Sequence, residues 1–149
     1  TKEKNVANNS GYQRRLLDQT HTIRIYLQDR VKRRKNFQSH VIFNLGSGFL
    51  YHPQKTIQDP TTKLYSMTPD YDQVRKFPFY FRVDMGLTFR FDLGKNYELI
   101  LIPEVYNVFN KYNIATYSWH HILPETEQPI PIANVYSKRF FNIGVNLSF

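Results

Sequence analysis

The chain has 149 residues, 41% hydrophobic and 16% aromatic, with 20 Lys+Arg against 12 Asp+Glu and a formal net charge of +8. Its length fits one ordinary domain, and its lack of cysteine excludes a disulfide framework, a catalytic thiolate and Cys-based zinc or Fe–S sites. Eleven Tyr and 12 Phe against a modest apolar total point to β-structure with one apolar and one polar face.

No run reaches the 18 or so apolar residues of a membrane helix, and no charged-then-apolar leader opens the chain. A first residue of Thr1, not Met, is what processing, cleavage or truncation would leave. The positive charge is local: residues 1–35 hold ten Lys/Arg and three acids, the remaining 114 ten and nine. Its densest part, Lys32, Arg33, Arg34 and Lys35, has the composition of a localisation or phosphate-binding cluster. Hydrophobic alternation stops just before it and resumes just after, so a solvated turn between strands is the simpler reading.

Residues 1–19 are polar and predict only a loop or preceding segment; the barrel-like pattern occupies 20–149. Ile23, Ile25 and Leu27 alternate with Thr22, Arg24, Tyr26 and Gln28, the period-two mark of a strand with two unlike faces. Phe37, Val41, Phe43 and Leu45 alternate with Gln38, His40 and Asn44, and the two runs form a hairpin. Gly46 to Pro78 carries too many Gly and Pro for a regular element and predicts a long loop.

The strongest signal follows. Phe79, Phe81, Val83, Met85, Leu87, Phe89 and Phe91 share one parity; Tyr80, Arg82, Asp84, Gly86, Thr88, Arg90 and Asp92 share the other. With 41% of residues apolar, seven in seven positions arises by chance about once in 500 at a fixed register. A turn at Leu93 to Asn96 leads to Tyr97, Leu99, Leu101 and Val105, where Pro103 predicts a local irregularity because it has no N–H to donate. Phe109 to Tyr136, with Pro124, Pro129 and Pro131, reads as a second long loop. The last strand sets Phe141, Ile143, Val145, Leu147 and Phe149 against Asn142, Gly144, Asn146 and Ser148.

Long strands, turns of about four residues alternating with loops of about thirty, and one apolar face per strand describe an outer-membrane β-barrel. The expected fold class is therefore all-β: an antiparallel transmembrane barrel segment of about five strands. Lipid demands strands of about 9–11 residues and a closed sheet, because an open edge in hydrocarbon leaves backbone groups unpaired. Five strands cannot close alone, so the segment must belong to a larger barrel or pair with another chain. On this reading Phe81, Val83, Met85, Leu87, Phe89, Ile143, Val145 and Leu147 face lipid. Arg24, Arg82, Asp84 and Arg90 face the lumen, where a wall ion pair such as Asp84 with an Arg of a neighbouring strand is favoured over substrate contact.

Four motifs then carry a resemblance: Asp18-Gln19-Thr20-His21-Thr22, Ser47-Gly48-Phe49-Leu50-Tyr51-His52-Pro53, Arg82-Val83-Asp84, and Val105-Tyr106-Asn107-Val108-Phe109-Asn110. In order and spacing they resemble the C-terminal barrel segments of TonB-dependent outer-membrane receptors, especially those of Bacteroidetes-type bacteria, over residues 18–149. The chain departs at Leu50, where that family often has proline. Asn142, Gly144, Leu147 and Phe149 resemble the C-terminal signal read by the barrel-assembly machinery; Phe149 also suits an interfacial aromatic girdle.

The resemblance implies a 22-stranded barrel around an N-terminal plug, located in the outer membrane with its C-terminus periplasmic. It implies short periplasmic turns at Lys32–Lys35 and Leu93–Asn96, external loops at 46–78 and 109–136, and import of a nutrient of siderophore, metal-complex, glycan or peptide class. The implied partners are the rest of the barrel and plug, the TonB complex through an N-terminal part that these residues do not include, a surface lipoprotein and outer-membrane lipid.

No catalytic constellation stands out, and no enzyme activity, metal or cofactor is expected. His120-His121 lacks ligand spacing around it, and Ser47, His52 and Asp59 lack a nucleophile elbow. Tyr51, Tyr65, Tyr71, Tyr117 and Trp119 are suited either to a ligand or to packing the loops. Two other readings are a barrel-completing subunit of a larger outer-membrane complex and, remotely, a soluble basic β-domain binding nucleic acid. The second fits poorly, since the basic residues concentrate before the best strands.

Overall fold

The computed structural model describes residues 2–4, 12–14, 19–30, 36–120, 128–136 and 138–149. Among these, every regular element is a strand: β1 (Lys2–Lys4), β2 (Tyr12–Arg14), β3 (Thr22–Arg30), β4 (Phe37–Gly46), β5 (Leu50–Tyr51), β6 (Gln54–Gln58), β7 (Tyr65–Pro69), β8 (Arg75–Lys76), β9 (Tyr80–Gly94), β10 (Tyr97–Tyr106), β11 (Ile114–His120), β12 (Ile130–Val135) and β13 (Phe140–Ser148). Contacts divide them into two units. One holds Thr22–Gly46, Tyr80–Asn113 and Tyr136–Phe149; the other holds Thr1–His21, Ser47–Phe79 and Ile114–Val135.

The first unit is a single antiparallel sheet in the order β13-β10-β9-β4-β3. Each long strand pairs with the next long strand in sequence, an up-and-down meander that, among the described residues, leaves β3 and β13 as open edges. The five expected strands are all present, with β9 running 15 residues instead of 14. Gly94, Lys95 and Asn96 all take positive φ (77°, 53° and 70°); Lys95 and Asn96, the two residues between the paired Gly94 and Tyr97, are thus both left-handed, as a primed hairpin turn requires.

The register decides what the alternation means, because residues directly opposite in an antiparallel ladder share a face. Leu27 lies opposite Val41, which lies opposite Met85, which lies opposite Val105, which lies opposite Phe141. Ile25, Phe43 and Val83 form another such row, and Phe89, Leu101 and Val145 a third. Four ladders thus merge five one-sided strands into one apolar face, interrupted in the row where Asp29 lies opposite Ser39 and Ser39 opposite Leu87. A slip of one residue anywhere would turn a whole strand inside out. The ladder between β9 and β10 lacks its bridges at Ile102 and Pro103, between Leu101 opposite Phe89 and Glu104 opposite Gly86, the irregularity expected at the proline.

The apolar face is uneven in cover. Val83 is 3% exposed, while Ile143 and Phe141 on the edge strand are 71% and 74% exposed. The covered end lies beside the turn after β10, where the Phe109 ring stacks on Phe81 at 5.7 Å and Val108 N–H donates to the Val83 carbonyl (2.8 Å).

The second unit corrects three expectations. Residues 1–19 hold a short ladder, β1 with β2, where only a loop was expected. The segment 46–78 pairs β5 with β8 and β6 with β7, and the segment 109–136 pairs β11 with β12. Breaker-rich sequence hides these ladders because the prolines sit where pairing tolerates them. Pro53 separates β5 from β6, Pro60 lies in the turn, Pro69 ends β7, and Pro131 lies in β12, which among the described residues pairs on one side only. The basic cluster Lys32 to Lys35, Asp18, His121 and Pro124 lie outside the described residues.

Candidate functional site

Opposite the apolar face, the sheet carries a polar row that the register alone creates. His40 and Glu104 flank Gly86 on the two sides of β9, with Gln28 beyond His40 and Asn142 beyond Glu104. Side chains two strands apart start about 10 Å from each other. Here they meet across the glycine, His40 Nε2 lying 3.5 Å from Glu104 Oε1. A Cβ at position 86 would overlap the imidazole ring, so the absent side chain is what lets the pair close. Tyr106 Oη and Asn142 Nδ2 donate to Glu104 Oε2 at 2.8 and 3.0 Å, and Tyr26 stacks on His40 at 6.0 Å. One chain of side-chain contacts therefore links four strands, β3, β4, β10 and β13, across the glycine of β9.

Higher on the same face, Arg82 Nε donates to Asp84 Oδ1 at 2.6 Å, and the guanidinium lies 5.3 Å from the Tyr106 ring centre. This pair lies within one strand, correcting the expected partner on a neighbouring strand: positions i and i+2 share a face, and Arg82 reaches along it. Arg90 does cross strands, to Glu98 at 3.6 Å. Arg24 lies opposite Asn44.

Asp84 is also the anchor of a buried polar knot. The Asn107 N–H donates to Asp84 Oδ1 (2.9 Å); the Asn107 side chain donates to the Lys111 carbonyl (3.0 Å) and accepts from the Lys111 N–H (3.1 Å). Asn107 is 1% exposed with φ of 53°, a left-handed conformation that Asn tolerates better than most residues. Asn110, at φ 51°, donates its N–H to the Asn107 carbonyl and accepts from the Arg139 N–H at 2.9 Å. Asn113 pairs by its side chain with both backbone groups of Phe81 (3.0 and 2.9 Å), replacing a strand neighbour where the ladder has ended.

The motifs noted in the sequence meet two by two. Arg82-Val83-Asp84 and Val105 to Asn110 build the knot. Ser47 joins the other pair: its N–H donates to the His21 carbonyl (2.9 Å), its Oγ accepts from the His21 N–H (3.1 Å), and Gln19 donates to its carbonyl (2.8 Å). Gly48 allows the Phe77 carbonyl to approach where a Cβ would collide.

Of the C-terminal signal residues, Asn142 and Gly144 lie on the polar side, opposite Glu104 and Ile102, while Leu147 lies on the apolar side opposite Leu99. Phe149 follows the strand and is 92% exposed. Phe81, Val83, Met85, Leu87, Phe89, Ile143, Val145 and Leu147 all fall on the apolar face, but Val83, expected to be open to lipid, is covered by the chain itself.

Ser47, His52 and Asp59 are each engaged separately. His52 Nδ1 meets the Gln73 carbonyl at 2.7 Å, and Asp59 Oδ1 accepts from the Thr61 and Thr62 N–H groups (2.7 and 3.0 Å). Those bonds, Thr62 foremost, hold the Asp59 carboxyl below the usual carboxylate range. The hydrogen bond to Asp70 (3.1 Å) holds the Lys55 ammonium above its ordinary value. Tyr51 and Tyr117 pack the loops, both lying against Phe77 (4.4 and 5.1 Å), and burial pushes the Tyr51 phenol up. Tyr71 stays 71% exposed at the edge of the His52 ring. Among the described residues no three His, Cys, Asp or Glu side chains come together as metal ligands would.

Sequence reading missed His40, Gly86 and Glu104 as a group, since only register aligns them, and missed Asn113, which sits in an unpatterned stretch. No protein-family model matches the chain, and neither a curated protein nor a solved structure is similar to it.

Proposed function

We propose that this chain is the C-terminal wall segment of a TonB-dependent outer-membrane receptor, a non-enzymatic importer of a scarce nutrient. The observation that carries the reading is the register-built apolar face spanning five meandering strands, four of them 9 or 10 residues long and one 15. An open single-layer sheet with one such face needs an apolar medium on that side and further strands at both edges. The apolar face meets lipid. The row of His40, Glu104 and Asn142, with Arg82 and Asp84, lines the lumen beside the plug. Loops capture the ligand, and TonB displaces the plug to admit it.

The open edges at β3 and β13 also favour a second reading, a separate subunit that completes another chain's barrel. The mass of the native polypeptide under denaturing conditions separates the two: one chain several times longer supports the receptor, and a short chain co-purifying with a large partner supports the subunit. The membrane placement itself is tested by Leu87→Arg against Thr88→Arg in the full-length protein. Loss of outer-membrane assembly for Leu87→Arg alone is expected, and loss for Thr88→Arg alone overturns the reading.

A further inference from the structure

The unit built from the small ladders contains a pocket of about 180 Å³ between the β6–β7 region and the β11–β12 hairpin. That is below the roughly 300–1,000 Å³ of a drug-sized pocket and fits a single ring. One wall is Trp119; the rest is mainly polar, with Gln54, Gln73, Lys55, Asp70 and Arg75. We infer that this pocket binds a carboxylate-bearing sugar ring, with Trp119 as the stacking platform and Arg75 as the carboxylate partner.

Three observations converge on that chemistry. The indole is held in place: it meets Tyr117 edge-on at 6.1 Å, Tyr117 stacks on Phe77, and Trp119 lies opposite Pro131 in the ladder. A fixed aromatic face is electron-rich and attracts the C–H-bearing face of a sugar ring. Carboxamides present both donors and acceptors, which hydroxyl groups match and an apolar ligand would leave unpaired.

Charge then selects among sugars. Lys55 is already held by Asp70 and Asp72 at 3.1 and 3.8 Å. Arg75 donates to the neutral Gln73 Oε1 at 3.3 Å, and no carboxylate among the described residues forms an ion pair with it. Its planar fork matches a carboxylate in two-point geometry.

As a binding pocket the site stands on this geometry; as first contact for an imported nutrient it rests on the receptor reading above. The test is calorimetric titration of the full-length protein in detergent with D-glucuronate and D-glucose. Glucuronate is expected to bind at least about tenfold more tightly than glucose. Arg75→Gln, at an exposed position, should bring glucuronate and glucose to within about threefold of each other, while Trp119→Ala should weaken both sugars by about tenfold or more. Equal binding of the two sugars, binding of neither, or a glucuronate preference surviving in Arg75→Gln overturns the inference. Failure to bind by a protein that still assembles in the outer membrane removes this inference alone. Sugar binding by a protein recovered without membranes supports the pocket and removes the receptor reading.

Discussion

The two units of this chain solve the same problem, pairing backbone groups in strands, with different materials. In the five-stranded sheet a repeated two-residue pattern does the work: five strands each present one apolar face, and the register joins them. In the ladder unit the strands are short, and side chains do what pattern does elsewhere. Asp59 closes the β6–β7 turn, Ser47 ties itself to His21, and Tyr51, Phe77 and Tyr117 pack as an aromatic cluster. The sheet should therefore be sensitive to which face a residue occupies, and the ladder unit to the loss of single hydrogen bonds.

The largest effect tests where the sheet borrows the other strategy. Asn107→Ala removes both side-chain bonds to Lys111 and forces alanine into a left-handed conformation, at a cost of about 3–4 kcal/mol measured by denaturant unfolding. Asn107→Gly, free of the conformational strain, should recover about 1 kcal/mol. Equal loss in both would mean that φ at this turn is unimportant.

Face specificity comes next. Leu87→Arg should cost about 2–4 kcal/mol in a bilayer, while Thr88→Arg, one residue on, stays near neutral. Comparable costs for the two would erase the distinction between faces. Gly86→Val should follow at about 1–3 kcal/mol, because the new side chain displaces the His40 ring from Glu104. A crossed His40→Ala background should relieve most of it, read as a coupling in a double-mutant cycle.

The smallest effect lies in the ladder unit. Asp59 has a depressed pKa because Thr62 and Thr61 donate to its carboxylate, so its contribution is present above the unfolded-state value and is lost as pH falls through the folded one. Protection of the Thr61 and Thr62 amides from hydrogen exchange should fall on acidification through that range. Asp59→Asn, which still accepts both bonds, should lack the acid step.

The same contrast explains what could be read from the residues alone. Every long strand was legible, since Phe79 to Phe91 and Phe141 to Phe149 repeat their pattern over many residues. The small ladders were not: β5 and β8 have two residues each, too few for any period to register. Nor does a sequence state which residues face each other across strands. His40 and Glu104 lie 64 positions apart, and only the pairing of each with Gly86 brings them together. The knot is half legible, because Arg82-Val83-Asp84 and Val105 to Asn110 stand out as separate motifs, while their junction through Asp84 and Asn107 needs three dimensions.

Contact between the apolar face of the sheet and lipid can be read residue by residue along β13. The chain has no cysteine, so single cysteines at Ile143, Gly144, Val145, Asn146, Leu147 and Ser148 can carry spin labels in the full-length protein in bilayers. Collision with dissolved oxygen against collision with a water-soluble nickel chelate reports the surroundings of each label. Strict alternation is expected, with oxygen dominant at 143, 145 and 147 and the chelate relatively favoured at 144, 146 and 148. Chelate access at all six positions, or alternation in the opposite phase, would contradict it.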